Sequence, residues 1–241
     1  MGELINDSRI LLVVPARGGS KGIPMKNLRM IGGRSLIARV GDVLHGLPQI
    51  DAGVVSTDHE DIAKEAEVSG IHAPFRRPDS LSGDRVGDLE VLSHALETME
   101  MIENRTFDII VMLQPTSPFR TGKQVTDCIE MLVNGGWDAV WTVSITDTKA
   151  HPLKQLNISD DQVLQLYDSS GERIIARQEL NPVYHRNGVA YAFTRECILN
   201  QKTIMGKRTG AMIVEEPCVN IDTEWDIDYA EYLIQSGKMD A

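Results

Sequence analysis

The run Ile-Leu-Leu-Val-Val at residues 10–14 is continuous where an edge strand would alternate, and a Pro-, Gly- and Lys-rich loop follows it at once. A strand buried on both faces has that composition, and such strands belong to parallel sheets covered by helices. The chain keeps this rhythm as far as Ser144. Residues 36–47 have helical spacing, 53–56 read as a second short strand, and 60–69 as a helix of alternating charge. Leu89, Leu92, Leu96 and Met99 recur at intervals of three and four, and 109–113 form another apolar run. Val125, Ile129 and Leu132 line a further helix, and 139–143 supply a strand after the Gly135-Gly136 turn. The alternation predicts an α/β fold, a doubly wound, mostly parallel sheet with helices on both faces. Residues 145–187 break the pattern: they are polar, carry Pro152 and Pro182, and place 153–158 and 163–167 around Ser159-Asp160-Asp161 like a hairpin, which predicts an inserted arm. Residues 188–194 and 211–214 resume strand composition, 226–234 form a terminal amphipathic helix, and the 241 residues read as one domain.

Composition narrows the partners. Lys and Arg number 24 against 35 Asp and Glu, a formal net charge of −11, which disfavours a nucleic-acid or anionic-membrane partner and makes any local basic cluster informative. The apolar stretches fall far short of the roughly 20 residues a spanning helix needs. Glu3, Asp7 and Arg9 precede an apolar run too brief for a secretory leader, and Asn6 stands where a myristoylation signal wants Ser or Thr, so a cytoplasmic address is expected. Cys128, Cys197 and Cys218 are odd in number and widely spaced; they predict packed free thiols, with neither a disulfide framework nor a zinc site.

In open parallel sheets ligands sit beyond the carboxyl ends of the strands, so the segments after each apolar run carry the functional reading. In residues 15–27 (PARGGSKGIPMKN), Gly18 and Gly19 let backbone amides turn toward an anion, while Arg17, Lys21 and Lys26 add charge beside Ser20. Such a loop suits a triphosphate, though neither GxxxxGK[ST] nor GxGxxG is present; the alternative is a surface loop with scattered cations. Residues 113–120 (LQPTSPFR) stiffen the chain past a central strand and offer the Gln114 amide to a polar substrate, or simply lead into a helix capped by Thr121. Arg177-Gln178-Glu179-Leu180 and Tyr184-His185-Arg186-Asn187-Gly188 hold guanidinium groups able to grip a carboxylate or phosphate; a solvated face or a subunit contact is the alternative. In residues 219–224 (VNIDTE), Asn220 and Asp222 point to one side as an oxygen-lined site suited to Mg2+ with phosphates, unless Asp222 is the N-cap of the terminal helix.

In this order and at these separations the four motifs resemble those of the CMP-sialic acid synthetases, or N-acylneuraminate cytidylyltransferases, from Ile10 to about Leu233. The resemblance implies a Rossmann-like nucleotidyltransferase fold of the nucleotide-diphospho-sugar transferase type. It implies transfer of CMP from CTP to the anomeric hydroxyl of a nonulosonic acid, sialic acid or a relative such as legionaminic acid, releasing pyrophosphate with Mg2+ present. It also implies a homodimer whose inserted arm reaches toward the partner's active site. Carried over position by position, Arg17, Gly18, Gly19, Ser20, Lys21, Lys26 and Asn27 match the nucleotide-binding loop, with Arg77 and Asp88 beside the nucleotide. Gln114 matches a sugar-contacting glutamine, Arg177, Asn187 and Tyr191 match acceptor-pocket residues, and Asp222 matches one of two aspartates that hold Mg2+. Arg17, Lys21 and Asp222 are the set expected to carry catalysis.

Two positions depart from that pattern. Asn220 stands where the second aspartate belongs; its amide oxygen can ligate a hard cation but brings no charge. Asp88 stands near the usual place of a small hydroxyl residue, and a carboxylate beside phosphates needs a compensating cation or metal, unless it simply begins the helix at Leu89. A synthetase for the eight-carbon sugar of lipopolysaccharide fits less well, because its first motif typically lacks the Arg-Gly-Gly-Ser-Lys-Gly run. None of the six histidines is expected as a catalytic base. Asn220 keeps open a reading from another class, a catalytically inactive nucleotide-binding regulator or scaffold of the same fold.

Overall fold

Each apolar run becomes a strand because both of its faces meet helices. The computed structural model describes residues 8–240 except the Arg177 side chain, so Glu3, Asn6 and Asp7 lie outside the described residues. In chain order the elements are β1 (Ile10–Pro15), β2 (Met30–Ile31), β3 (Arg34–Ser35), α1 (Leu36–His45), β4 (Ala52–Ser56), α2 (Glu60–Val68), α3 (Asp88–Glu103) and β5 (Ile109–Met112). There follow α4 (Gly122–Gly135), β6 (Ala139–Ile145), β7 (Leu156–Ile158), β8 (Leu164–Leu166), β9 (Tyr184–Thr194), α5 (Arg195–Leu199), β10 (Thr209–Ile213) and α6 (Glu224–Gln235).

The main sheet runs β10-β6-β9-β5-β1-β4, with β1 parallel to β4 and β5, and β10 parallel to β6. Only β9 is reversed, lying antiparallel between β5 and β6. This is the expected doubly wound, mostly parallel sheet. β1 sends Ile10, Leu12 and Val14 toward α1, α2 and α4, and Leu11 and Val13 toward α3 and α5, which is why the run does not alternate. From β1 the chain winds to β4 on one side, then crosses back to β5 on the other. That reversal opens a crevice at the carboxyl ends of β1 and β5.

Local chemistry ends the helices that frame it. Thr121 caps α4 in a reciprocal box with Gln124, as expected. Thr223, not Asp222, caps α6, in a box with Asp226, so Asp222 is not consumed as a cap. α6 then lays Ile227, Ala230 and Leu233 against Ile23, Ile31 and Leu36, tying the end of the chain to the loop after β1.

The arm leaves the sheet between the paired residues Ile145 and Tyr184, and its tip is the antiparallel β7–β8 hairpin with Leu156 opposite Leu166. β9 starts earlier than the expected 188–194 because it continues beside β6 beyond a bulge. There the register passes from Trp141 opposite Tyr191 to Val143 opposite Arg186. The Thr142 hydroxyl fills the bulge, 2.7 Å from Asn187 Oδ1 and 2.8 Å from the Ala190 carbonyl, and Gly188 takes a φ of +75°. Burial pushes the Cys128 thiol up to about 12 and that of Cys197 to about 11, in keeping with packed free thiols. No helix among the described residues is long and apolar enough to cross a membrane.

Candidate active site

The crevice holds a cleft of about 400 Å³ whose walls come from the loops after β1 and β5, the segment from Arg77 into the first turn of α3, and the segment before α6. Glycine is needed where two of these meet: a Cβ on Gly22 would lie 2.6 Å from the Asp222 carbonyl oxygen. Arg17, Lys21, Lys26 and Arg77 all face this cleft, together with Asp88, Gln114 and Asp222. Three of the four cations have acidic partners. Asp84 accepts from Arg17 at 2.8 Å and from Lys21 at 2.5 Å, and Asp222 accepts from Lys26 at 2.9 Å. Hydrogen bonding to Lys21, then to Arg17, holds the Asp84 carboxyl below the usual carboxylate range.

Arg77 differs. It is 5% exposed, and its Nε and Nη2 are buried without a hydrogen-bond partner among the described residues. Burial lowers its pKa, the Asp58 charge opposes that, and Arg17 adds to it. A buried guanidinium at a cleft wall, with no carboxylate paired to it among the described residues, adds a fixed positive charge that favours an anion in the cleft.

The other sequence-predicted residues divide. Ser20 and Asn27 line the cleft, and buried Asn27 also donates to the Arg17 carbonyl at 3.0 Å, which shapes the loop. Gly18 and Gly19 are not in its wall; the Gly18 N–H donates to Asp58 at 2.9 Å and is not free for an anion. Asn187 and Tyr191 do not line the cleft either. Asn187 is 3% exposed and donates to Ser144 while accepting from Thr142 and the Val189 N–H. Tyr191 is 1% exposed, packs edge-on against Trp141, and accepts from the Gly188 N–H at 2.8 Å. Both side chains are used to build the β9 bulge, because each is buried with its polar atoms already paired. Arg177 stands in a helical turn of the arm, Arg177–Glu179, and its side chain lies outside the described residues. Asp88 does begin α3, and it also lines the cleft.

Residues outside the predicted set complete the geometry. Arg120 is buried and donates to the carbonyls of Gln114 and Gly188, bracing the Gln114 platform from beneath. Burial lowers its pKa to about 9, which still leaves it charged at neutral pH. The final Arg of LQPTSPFR was the available sequence signal. Gly188, in the Asn-Gly pair, approaches the cleft so closely that a Cβ would stand 2.6 Å from Ser117 Oγ and 2.9 Å from Gln114 Oε1. Asp222 Oδ2 also accepts from the Asn220 amide at 3.2 Å, so the two residues form one polar pair at the rim, with hard oxygen donors on both.

Behind Arg77, His94 meets Phe75 edge-on at 5.4 Å with its Nδ1 buried and unpaired among the described residues. Burial, then the Arg77 charge, lowers its pKa below the ordinary 6.5. The fold therefore favours neutral His94, a contribution complete above about pH 6.5 and lost as pH falls below it. Melting temperature is expected to drop more steeply from about pH 7 to about pH 5 in the native protein than in His94→Gln. Parallel curves would remove His94 from the acid response.

The chain matches the family model described as cytidylyltransferase over residues 11–239. It is 29% identical to the post-translational flagellin modification protein B of Campylobacter coli, across 97% of this chain and 98% of that protein. It is also 29% identical to the CMP-N,N'-diacetyllegionaminic acid synthase of Legionella pneumophila, across 92% and 94% respectively. Among solved structures, a CMP:2-keto-3-deoxy-manno-octonic acid synthetase complexed with CTP shares the fold with a TM-score of 0.67 at 19% identity, covering 95% of this chain and 100% of that one.

Proposed function

The chain belongs to the cytidylyltransferase family, and from that premise we propose that it transfers CMP from CTP to the anomeric hydroxyl of a nonulosonic acid, releasing pyrophosphate. The observation that carries this reading is the set Arg17, Lys21, Lys26 and Arg77 gathered around the β1–β5 crevice opposite Gln114, in a chain of net charge −11. Positive charge so concentrated in an acidic protein suits a polyphosphate. Legionaminic acid leads the candidate acceptors on the strength of the Legionella relative; sialic acid follows from the motif resemblance.

In this reading the polyphosphate takes Arg17 and Lys21 from Asp84, and Gln114 orients the sugar. The anomeric oxygen attacks the α-phosphorus, its proton passes to solvent, and the α–β phosphoanhydride bond breaks with its electron pair leaving on pyrophosphate. Fixed cations stabilise the charge on the phosphoryl oxygens and the leaving group, so no nucleophilic side chain is required. Asp222 and Asn220 suit Mg2+ as hard oxygen donors. Among the described residues no group of three or more His, Cys, Asp or Glu is able to hold a metal, so Asp222 and Asn220 are the residues that would hold the ion, which would supply further charge neutralisation to the phosphates. Asn220→Asp places two carboxylates side by side, which repel without a cation between them. That variant is expected to gain melting temperature on adding MgCl2 by more than the native protein does while keeping its turnover. An equal response in both proteins would remove the pair from the metal site.

The arm exposes apolar side chains, Ile158 at 70% and Ile175 at 93%, which supports a homodimer formed through it. A reaction that consumes CTP fits a cytoplasmic address. The test is incubation of the purified protein with CTP, Mg2+ and a panel of nonulosonic acids while following pyrophosphate. Acceptor-dependent release supports the reading. CTP binding without turnover across the panel would make the protein a nucleotide-binding regulator instead, and substituting other nucleoside triphosphates checks the base.

A further inference from the structure

Asp88 is the one acidic side chain in the cleft wall that contacts none of the four cleft cations. It sits in the first turn of α3, on the wall shared with Arg77 and Gln114. Left bare, it would repel a polyphosphate. Its partner is Arg186, 98 residues away in sequence, whose Nη2 donates to Asp88 Oδ2 at 2.8 Å. The guanidinium is held in place from two sides, with Trp141 and Tyr191 ring centroids each 4.6 Å from it. The Tyr191 hydroxyl in turn accepts from the Gly188 N–H. The start of β9 thus brings to Asp88 a cation stacked on two aromatic rings, from outside the phosphate loop. We propose that Arg186 is a positioning residue for nucleotide binding: it neutralises Asp88 and fixes it, so that the polyphosphate enters a cleft whose remaining uncompensated charge is positive.

The inference rests on the cytidylyltransferase reading, and CTP kinetics separate the two. Arg186→Met is expected to raise KM for CTP about tenfold with a smaller change in kcat, the increase shrinking at high salt as the exposed charge is screened. Adding Asp88→Asn to Arg186→Met is expected to bring KM back toward the native value, because no bare carboxylate then remains. A purely structural Arg186 would show no such rescue, since both variants lack the stacked guanidinium. Arg186→Lys, which keeps the charge, is expected to hold KM within about threefold of native. Asp88→Asn alone, which tests the charge even where Arg186→Met fails to fold, is expected to lower KM for CTP below the native value, because the Arg186 charge is then unopposed. An unchanged KM in Arg186→Met, a double variant no better than the single, or an unchanged or raised KM in Asp88→Asn would overturn the proposal. A native protein that releases no pyrophosphate from CTP would overturn the functional reading instead.

Discussion

Replacing Arg77 by Met is expected to lower kcat/KM for CTP by about two to three orders of magnitude while the melting temperature stays level or rises. The two halves of that result have one cause. Arg77 is a buried cation whose Nε and Nη2 lack partners among the described residues, so in the free protein it carries a desolvation cost that nothing nearby offsets in full. Met fills similar volume without the charge. Removing one preorganised electrostatic contact to a reacting group typically costs about two to three orders of magnitude, which sets the expected fall in rate. Steady-state kinetics with CTP varied, paired with a thermal melt, check both halves. Native-like kinetics would take Arg77 out of the binding set, and a collapse in melting temperature would assign it to structure.

Gly188→Ala is expected to reduce turnover about a hundredfold and to cost about 1–3 kcal/mol of stability. The backbone at this position has φ +75°, which only glycine adopts freely. The added methyl would also lie 2.6 Å from Ser117 Oγ and 2.9 Å from Gln114 Oε1. Ser117 is buried and already donates to the Asn187 carbonyl at 2.9 Å, so Gln114 is the group that must yield. Moving it withdraws the amide proposed to orient the sugar, and the loss should therefore fall on acceptor use more than on CTP. Kinetics with each substrate varied in turn read this out; equal losses for the two substrates would mean that Gln114 does not serve the acceptor.

The phosphate loop and the Gln-Pro-Thr-Ser-Pro segment are legible from sequence because each follows a strand whose burial on both faces is written in five consecutive residues, and the Asn220–Asp222 pair is legible from its alternate spacing. The alternative use of Asp222 as the cap of α6 falls to backbone geometry, since Asp222 and Thr223 both have cap chemistry and the chain selects Thr223. Asn187 and Tyr191 carried the right residue types for a sugar pocket. Their polar atoms are instead spent inside a bulge that hydrophobic pattern does not reveal. The reversal of β9 was equally hidden, because a strand buried on both faces has the same composition whichever way it runs.

The α/β class, the switch-point loop that gathers cations and the capped start of α4 are written in the linear chain. These depend on periodicity and on side chains within a few residues of one another. Tertiary structure alone decided which charges are answered: Asp84 covers Arg17 and Lys21, Asp222 covers Lys26, Arg186 crosses the sheet to Asp88, and Arg77 is left with unused donors. Coulomb interactions and desolvation depend on separation in space and on burial, and neither can be counted along the chain.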